Sequence, residues 1–320
     1  MLLPGVFEIF MNNRRIVFSR VVFMVFYSFD DVLRVLQVFQ ETPCEVSDEL
    51  RGWRWREPPL LNPYRARINA SDLSFGCDTG RLAYLRHVKR VKERGGEELA
   101  FGLAVHRAIV SATTVAKGIL YHEKPVNGGL FYEKMKRMGE ELRKGEGFSR
   151  FPEVFDCLWD SAALAYSSAL DRVLSISRYL SWDGVVYRVV PWTCEFPVDG
   201  RPFGLNRAIR VDALIPPSVI VEFKTRRPSR VYEVVLAGYA LCFEAMFRVP
   251  VNHALLLYLS FEESGRFRVY ENFVPVDDSL RVEFVERRDL FLRAVADGFD
   301  PGLPRECDRY CPYLKTCRGE

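Results

Sequence analysis

Three residues in the stretch "RAIRVDALIPPSVIVEFKTRR" (207–227) have the types and spacing that phosphodiester chemistry needs: Asp212, Glu222 and Lys224. Side chains alternate faces along a strand, so Glu222 and Lys224 project together while Val221, Phe223 and Thr225 point away. Pro216 and Pro217 turn the chain, so Asp212 on one strand can lie across from Glu222 on the next. Two carboxylates and an amine on such a hairpin are costly to desolvate unless something pairs with them. Two carboxylates and a backbone carbonyl, for which Phe223 is placed, form a hard oxygen site for Mg²⁺ or Mn²⁺. An ion there activates water and neutralises charge on a scissile phosphodiester. Lys224 would orient that water or offset charge building on the phosphate. His106 lies in line with Leu99, Leu103 and Val110 on an apolar helix, faces inward, and could complete the metal shell, favouring Mn²⁺. Glu195, on the preceding strand, is an accessory candidate. Each piece also has an ordinary reading: a hydrogen-bonded core histidine, a solvated Glu-x-Lys face, a turn aspartate.

A second cluster closes the chain. "ECDRYCPYLKTCRG" (306–319) supplies Cys307, Cys311 and Cys317 in the spacing C-x3-C-x5-C. A tetrahedral site needs a fourth ligand, and Cys77 is the best remote donor by position. Cys44, Cys157, Cys194 and Cys242 stand in apolar or strand-like settings and read as small buried residues. Spacing alone leaves zinc, an iron–sulfur cluster and unligated cysteines open. Three of eight cysteines crowd the last fourteen residues. That asymmetry argues against a secreted disulfide scaffold and for a reducing cytoplasm.

The elements that must position these residues follow from periodicity. Residues 30–42 read as a helix capped by Asp30 or Asp31, and 49–72 as an aromatic, basic, proline-rich surface loop. Asn69, Ser71 or Asp72 is expected to cap a helix carrying Cys77 and "RLAYLRHV". Residues 97–120 are apolar all round, as in a buried helix. Residues 124–150, rich in Gly and Lys, read as a linker, and 151–180 return to helical spacing. From 185 the period is two: "VVYRVVPWTCEFPV", "RAIRVDALI" and "VIVEFKT" read as successive strands. A helix over 229–247, strands "HALLLYLSF" and "RFRVYENF", and a helix capped at 277–279 and ending near Gly298 complete the order. This is an α/β fold, a sheet with helices on its faces and a helical insertion. The chain divides into an N-terminal extension (1–24), a segment with the first cysteine (25–96), a helical region with His106 (97–180), a core sheet (181–275), and a C-terminal helix with the cysteine tail (276–320).

Composition sets bounds on function. A chain of 320 residues that is 48% hydrophobic suggests two domains, or one core with insertions. Its net charge of +3 announces no global affinity for nucleic acid, but a local groove can still be basic. Trp53, Arg54, Trp55, Arg56, Arg226 and Arg227 are the candidates for tracking a single strand by stacking and charge, set against ordinary surface packing. The run "RRIVFSRVVFMVFYSF" (14–29) has the look of a signal peptide. It lacks an A-x-A-like cleavage site, Arg20 interrupts it, and it is short for a bilayer. It reads as a buried strand or helix start, with Met11 and Met24 as alternative starts, and no membrane is expected.

"VDALI…VIVEFKT", with an upstream His and a Tyr on the following helix, resembles the PD-(D/E)xK nuclease core in its RecB-like branch. The resemblance implies a restriction-endonuclease-like mixed sheet in which His106, Asp212 and Glu222 bind the metal and Lys224 assists catalysis. The branch's Q-x3-Y keeps Tyr239, but Val235 stands where Gln is expected, a departure at the helix's substrate-strand contact. RecB-like nucleases with a [4Fe–4S] cluster carry one Cys before the core and three at the C-terminus. That order matches Cys77, Cys307, Cys311 and Cys317, although the usual tail begins C-x2-C. The whole is similar to the CRISPR-associated RecB-like exonucleases of the spacer-acquisition module, over about residues 25–320. "ELRGWRWREPPLLNP" followed by the Cys77 segment looks like the archaeal subtype I-A version. The implied activity is trimming of single-stranded DNA ends before they become spacers, with the spacer integrase complex as partner. The alternatives are a non-catalytic scaffold or DNA-end-measuring subunit, and a zinc-ribbon-like DNA-binding protein.

Overall fold

The computed structural model describes residues 7–11, 14–18, 20–22, 25–92, 95–145, 148–176, 179–262, 266–305 and 307–319. Its centre is a six-stranded mixed sheet. In chain order the strands are β3 (Arg20–Val22), β4 (Thr193–Val198), β5 (Ile209–Ile215), β6 (Val219–Lys224), β7 (His253–Phe261) and β8 (Phe267–Pro275), and their spatial order is β3-β8-β7-β6-β5-β4. A separate hairpin, β1 (Phe7–Met11) with β2 (Arg14–Phe18), precedes them. All neighbours in the sheet are antiparallel except β6 and β7. That parallel pair needs a crossover, supplied by α7 (Arg230–Phe247).

The sequence of each strand matches its place. β6 and β7 are near-continuous apolar runs because both faces are covered. Ile220, Ala254 and Leu256 face α7 and α8 (Asp278–Asp297), while Val221, Phe223, Leu255 and Leu257 face the other layer. That layer holds α1 (Phe29–Glu41), α3 (Glu97–Glu123), α5 (Pro152–Ile176) and α6 (Trp182–Val189). Edge strand β4 alternates exposed and half-buried residues instead. Asp277 caps α8 through the Leu280 N–H, as its position suggests, and Gly298 ends it in the left-handed region. Ser28 caps α1, with Asp31 closing a capping box three residues on, so Asp31 acts from inside the helix.

Several local expectations are corrected. Residues 124–150 contain α4 (Gly128–Arg143). Phe131 and Met135 are buried against α5, and a Cβ at Gly139 would come 2.4 Å from Trp159 Nε1. The glycine is a contact position of a helix whose apolar stripe is thin. Residues 182–189 form α6, with Val185, Val186 and Val189 buried, a spacing of 1 and 3–4 that suits a helix as well as a strand suits alternation. Cys77 lies in a loop; the helix after it is α2 (Arg81–Ala83), started by Gly80 and continued as a π-turn over Tyr84–Val88. Asn69 and Asp72 close a 3₁₀ turn over Ala70–Ser74 instead. The 49–72 stretch buries Leu50, Leu60 and Ile68, so it belongs partly to the core.

α3 is not buried all round. Its buried face runs through Ala104, Val105, Ala108, Ile109, Ala112 and Ala116, while Leu103 is 49% exposed. Among the described residues it is also the one helix long and apolar enough to cross a membrane, by length and composition only. A buried ion cluster locks α7 to α8: Glu244 accepts from Arg281 at 2.8 and 2.9 Å, from Arg51 at 3.0 Å and from the Gly52 N–H at 2.7 Å.

Candidate active site

The β5–β6 ladder pairs Ile215 with Val219, Leu214 with Ile220 and Ala213 with Val221, and there it stops. One step further would oppose Asp212 to Glu222, as the hairpin pattern suggests, but the strands part. The Asp212 side chain fills the gap. Its Oδ2 accepts the Phe223 N–H at 2.8 Å, in place of a backbone carbonyl, and its Oδ1 lies 2.9 Å from His106 Nε2. On the other side, β4 pairs with β5 at Cys194 and Phe196 but skips Glu195, whose φ is +49°. Left-handed backbone at a residue other than glycine is uncommon, and such residues concentrate at functional sites. Asp212 therefore sits where the sheet is open on both flanks.

Glu222 and Lys224 share a face, as the period of two requires, and form an ion pair. The Lys224 ammonium lies 5.2 Å from the Tyr232 ring centroid. Glu222 is 4% exposed, and its Oε2 is buried without a hydrogen-bond partner. Burial, followed by the Asp212 charge, pushes the Glu222 carboxyl up to about 7, with Lys224 and His106 pulling the other way. Burial would raise Asp212 too, but the His106 hydrogen bond and charge win and hold it below its ordinary value. The converse holds for His106, which burial lowers but Asp212 raises more. Lys224 likewise stays above its ordinary value, because Glu222 and Asp212 outweigh burial.

Tyr239 is buried beside this group, and burial with the Glu222 and Asp212 charges raises its phenol strongly. Val235, one turn earlier, is buried and apolar. Glu195 is exposed, 3.4 Å from Arg210, and close enough to raise His106. Tyr232 was missed from the sequence. Its signal was present, since it lies seven residues before Tyr239 and so on the same helical face.

All eight cysteines are free. Burial pushes the Cys311 thiol up to about 12, with Cys317, Cys77 and Cys307 each adding to the rise, so the four predicted cysteines share one neighbourhood. Cys44, Cys157, Cys194 and Cys242 lie apart from it; Cys242 is buried and the other three half-buried. The tail is tied down by Arg81, which donates to the Cys317 carbonyl and pairs with Asp300, and by Arg86, which donates to the buried Tyr313 hydroxyl at 3.2 Å. Among the described residues, no three His, Cys, Asp or Glu side chains gather around one point closely enough to hold a metal ion as they stand. In the sheet the carboxylates are paired off instead, Asp212 with His106 and Glu222 with Lys224, which leaves one buried oxygen free.

The basic candidates separate into two places. Trp53, Arg54, Trp55 and Arg56 belong to a turn that packs on the C-terminal half of α7. There Arg54 is neutralised by Asp48 and Glu57, Trp53 donates to Asp48, and Arg56 covers Trp55. Arg226 and Arg227 instead follow β6 directly, beside the site. They line a cavity of about 290 Å³ with Phe101, Phe151 and Tyr310, and another of about 360 Å³ with Tyr258 and Tyr270. Arg226 also lines a third, about 340 Å³, against Phe75 and the cysteine tail.

The chain matches the family model described as CRISPR-associated exonuclease Csa1 over residues 24–320. It is similar to a protein of that name from Saccharolobus solfataricus, 33% identical over 300 residues that cover 92% of this chain and 99% of the relative. A second relative of that name, from Thermoproteus tenax, is 29% identical over 292 residues, covering 90% of this chain and 98% of its own length.

Proposed function

Because the chain belongs to the CRISPR-associated exonuclease Csa1 family, we propose that it is a divalent-metal-dependent nuclease that trims single-stranded DNA ends during spacer acquisition. In this reading its core is of the PD-(D/E)xK type, in the archaeal subtype I-A setting. It works in the cytoplasm with the spacer integrase complex, whose substrates it prepares.

One observation carries the metal reading: a buried carboxylate oxygen, Glu222 Oε2, without a partner, at the point where the sheet opens around Asp212. A buried acceptor left unsatisfied is costly, and a hard cation satisfies it. Asp212, Glu222, His106 and the Phe223 carbonyl are the donors that would hold Mn²⁺ or Mg²⁺. When bound, the ion supplies a nucleophilic water at neutral pH and charge neutralisation on the phosphate. His106 holds Asp212 ionised and oriented. Lys224, kept charged by its carboxylate neighbours, sits where it can orient water or offset charge building on the phosphate.

Four free thiols in one neighbourhood suit a [4Fe–4S] cluster on Cys77, Cys307, Cys311 and Cys317. It would cross-link segments about 230 residues apart in the chain, a structural role like that of a long-loop staple. The groove at Arg226 and Arg227, with Phe101, Phe151 and Tyr310, suits stacking and charge contacts to a single strand. The apolar, buried Val235 favours a second reading, a non-catalytic scaffold or end-measuring subunit.

The test is a nuclease assay on protein purified without oxygen, with end-labelled single- and double-stranded DNA and Mn²⁺, comparing wild type with Lys224→Ala. Digestion by wild type that Lys224→Ala abolishes supports the reading. If neither cuts while iron and acid-labile sulfide are present, the scaffold reading takes its place.

A further inference from the structure

Arg226 stands two residues after Lys224, and its guanidinium lies 5.2 Å from the Phe75 ring centroid and 5.3 Å from the Tyr310 ring centroid. These two rings come from segments far apart in the chain. Phe75 is two residues before Cys77 and Tyr310 is directly before Cys311, so each arm of the cysteine neighbourhood delivers one ring to Arg226. Arg309 lies over Tyr310 as well, 4.5 Å from its centroid, and donates to its hydroxyl. Among the described residues no carboxylate pairs with Arg226, and it is the one side chain shared by all three cavities along the groove. Tyr232 bridges it to the catalytic strand: burial raises the Tyr232 phenol, and the Arg226 and Lys224 charges pull it back.

A guanidinium held over aromatic rings keeps for a ligand the N–H donors that the Tyr232 hydroxyl does not take, and it loses rotamer freedom before the ligand arrives. Its planar fork matches a phosphate in two-point contact. We propose that Arg226 binds a backbone phosphate of the substrate strand next to the scissile bond, and that Phe75 and Tyr310 are positioning residues that hold it there. This rests on the nuclease reading given above. The cysteine tail then completes the substrate groove, acting on binding through Arg226 and not on the hydrolytic step.

The probe is a fluorescein-labelled oligo-dT, bound by anaerobically purified full-length protein in EDTA so that no cleavage intervenes, at several salt concentrations. Arg226→Gln, Phe75→Leu and Tyr310→Leu are each expected to weaken binding about five- to fiftyfold, and Arg226→Gln to lower the salt slope by about 0.7 to 1. Tyr310→Phe, which keeps the ring over Arg226 and loses only the Arg309 hydrogen bond, should recover most of the binding that Tyr310→Leu loses. The double variant Phe75→Leu/Arg226→Gln should bind no worse than Arg226→Gln alone, because Phe75 acts through Arg226. With Mn²⁺, Phe75→Leu should raise KM with kcat nearly kept. Iron and sulfide content identifies a tail that has come apart in Tyr310→Leu, in which case the Phe75–Arg226 cycle decides alone. Additive losses in that cycle, or wild-type affinity in Arg226→Gln, overturn the proposal while leaving the nuclease reading intact. A wild type that neither binds nor cuts the oligonucleotide removes both.

Discussion

Replacing Glu222 with Gln should change how stability depends on pH in a calculable way. Burial and the Asp212 charge bring the Glu222 carboxyl from its ordinary 4.5 to about 7 in the metal-free protein. Between those values the folded form keeps a proton that the unfolded form has released, so stability falls as pH rises through that window. The full shift corresponds to about 3 kcal/mol. For 320 residues the unfolding entropy is about 0.7 kcal/mol/K, so the melting midpoint should move by roughly 4–5 °C. His106 adds its own loss of stability as pH rises, and Glu222→Gln keeps the Asp212 hydrogen bond and charge that contribute most to raising it while removing the smaller Glu222 contribution. The assay is thermal unfolding in EDTA from pH 4.5 to 8. Glu222→Gln should gain on wild type steadily up to about pH 7 and hold its lead above it. Because an ion must displace the Glu222 proton and also the proton of His106, Mn²⁺ affinity of wild type should rise by at least about tenfold per pH unit up to about 7. A pH-independent difference between the two proteins would refute the argument that burial, and not a satisfied hydrogen-bond network, governs this carboxylate.

His106→Ala removes a proposed donor as well as the partner of Asp212 Oδ1, so it should lower Mn²⁺ affinity by at least about 10- to 100-fold by calorimetry and let the Asp212 carboxyl return toward its ordinary value. Glu244→Gln leaves Arg281, which is fully buried, short of its countercharge and should cost about 3–5 kcal/mol in denaturant unfolding, with exonuclease kcat kept at a permissive temperature. Gly139→Ala drives a Cβ into the Trp159 indole and should cost about 1–3 kcal/mol, read as a lower melting midpoint.

The readings that failed and those that held differ in a common way. "VVYRVV" has apolar residues at spacings compatible with either period, and packing against α3 and α5 made it a helix. α4 was concealed because one of its contact positions is Gly139, where the indole of Trp159 supplies the apolar surface. His106 reaches Asp212 although the stripe it shares with Leu103 is not the buried face of α3, since Leu103 is 49% exposed.

By itself the sequence determined the strands of the site, the shared face of Glu222 and Lys224, the helix with Tyr239 that follows them, and a cap of α8 within 277–279. These depend on backbone periods and short-range hydrogen bonds, which a few neighbouring residues settle. The tertiary structure alone decided that the ladder opens at Asp212, that His106 reaches it from 106 residues away, and that Glu222 Oε2 is left alone in the interior. It also brought Phe75 and Tyr310 onto Arg226. Those outcomes turn on how whole layers pack around a twisted sheet, and no local period encodes the distance between two side chains that only packing brings together.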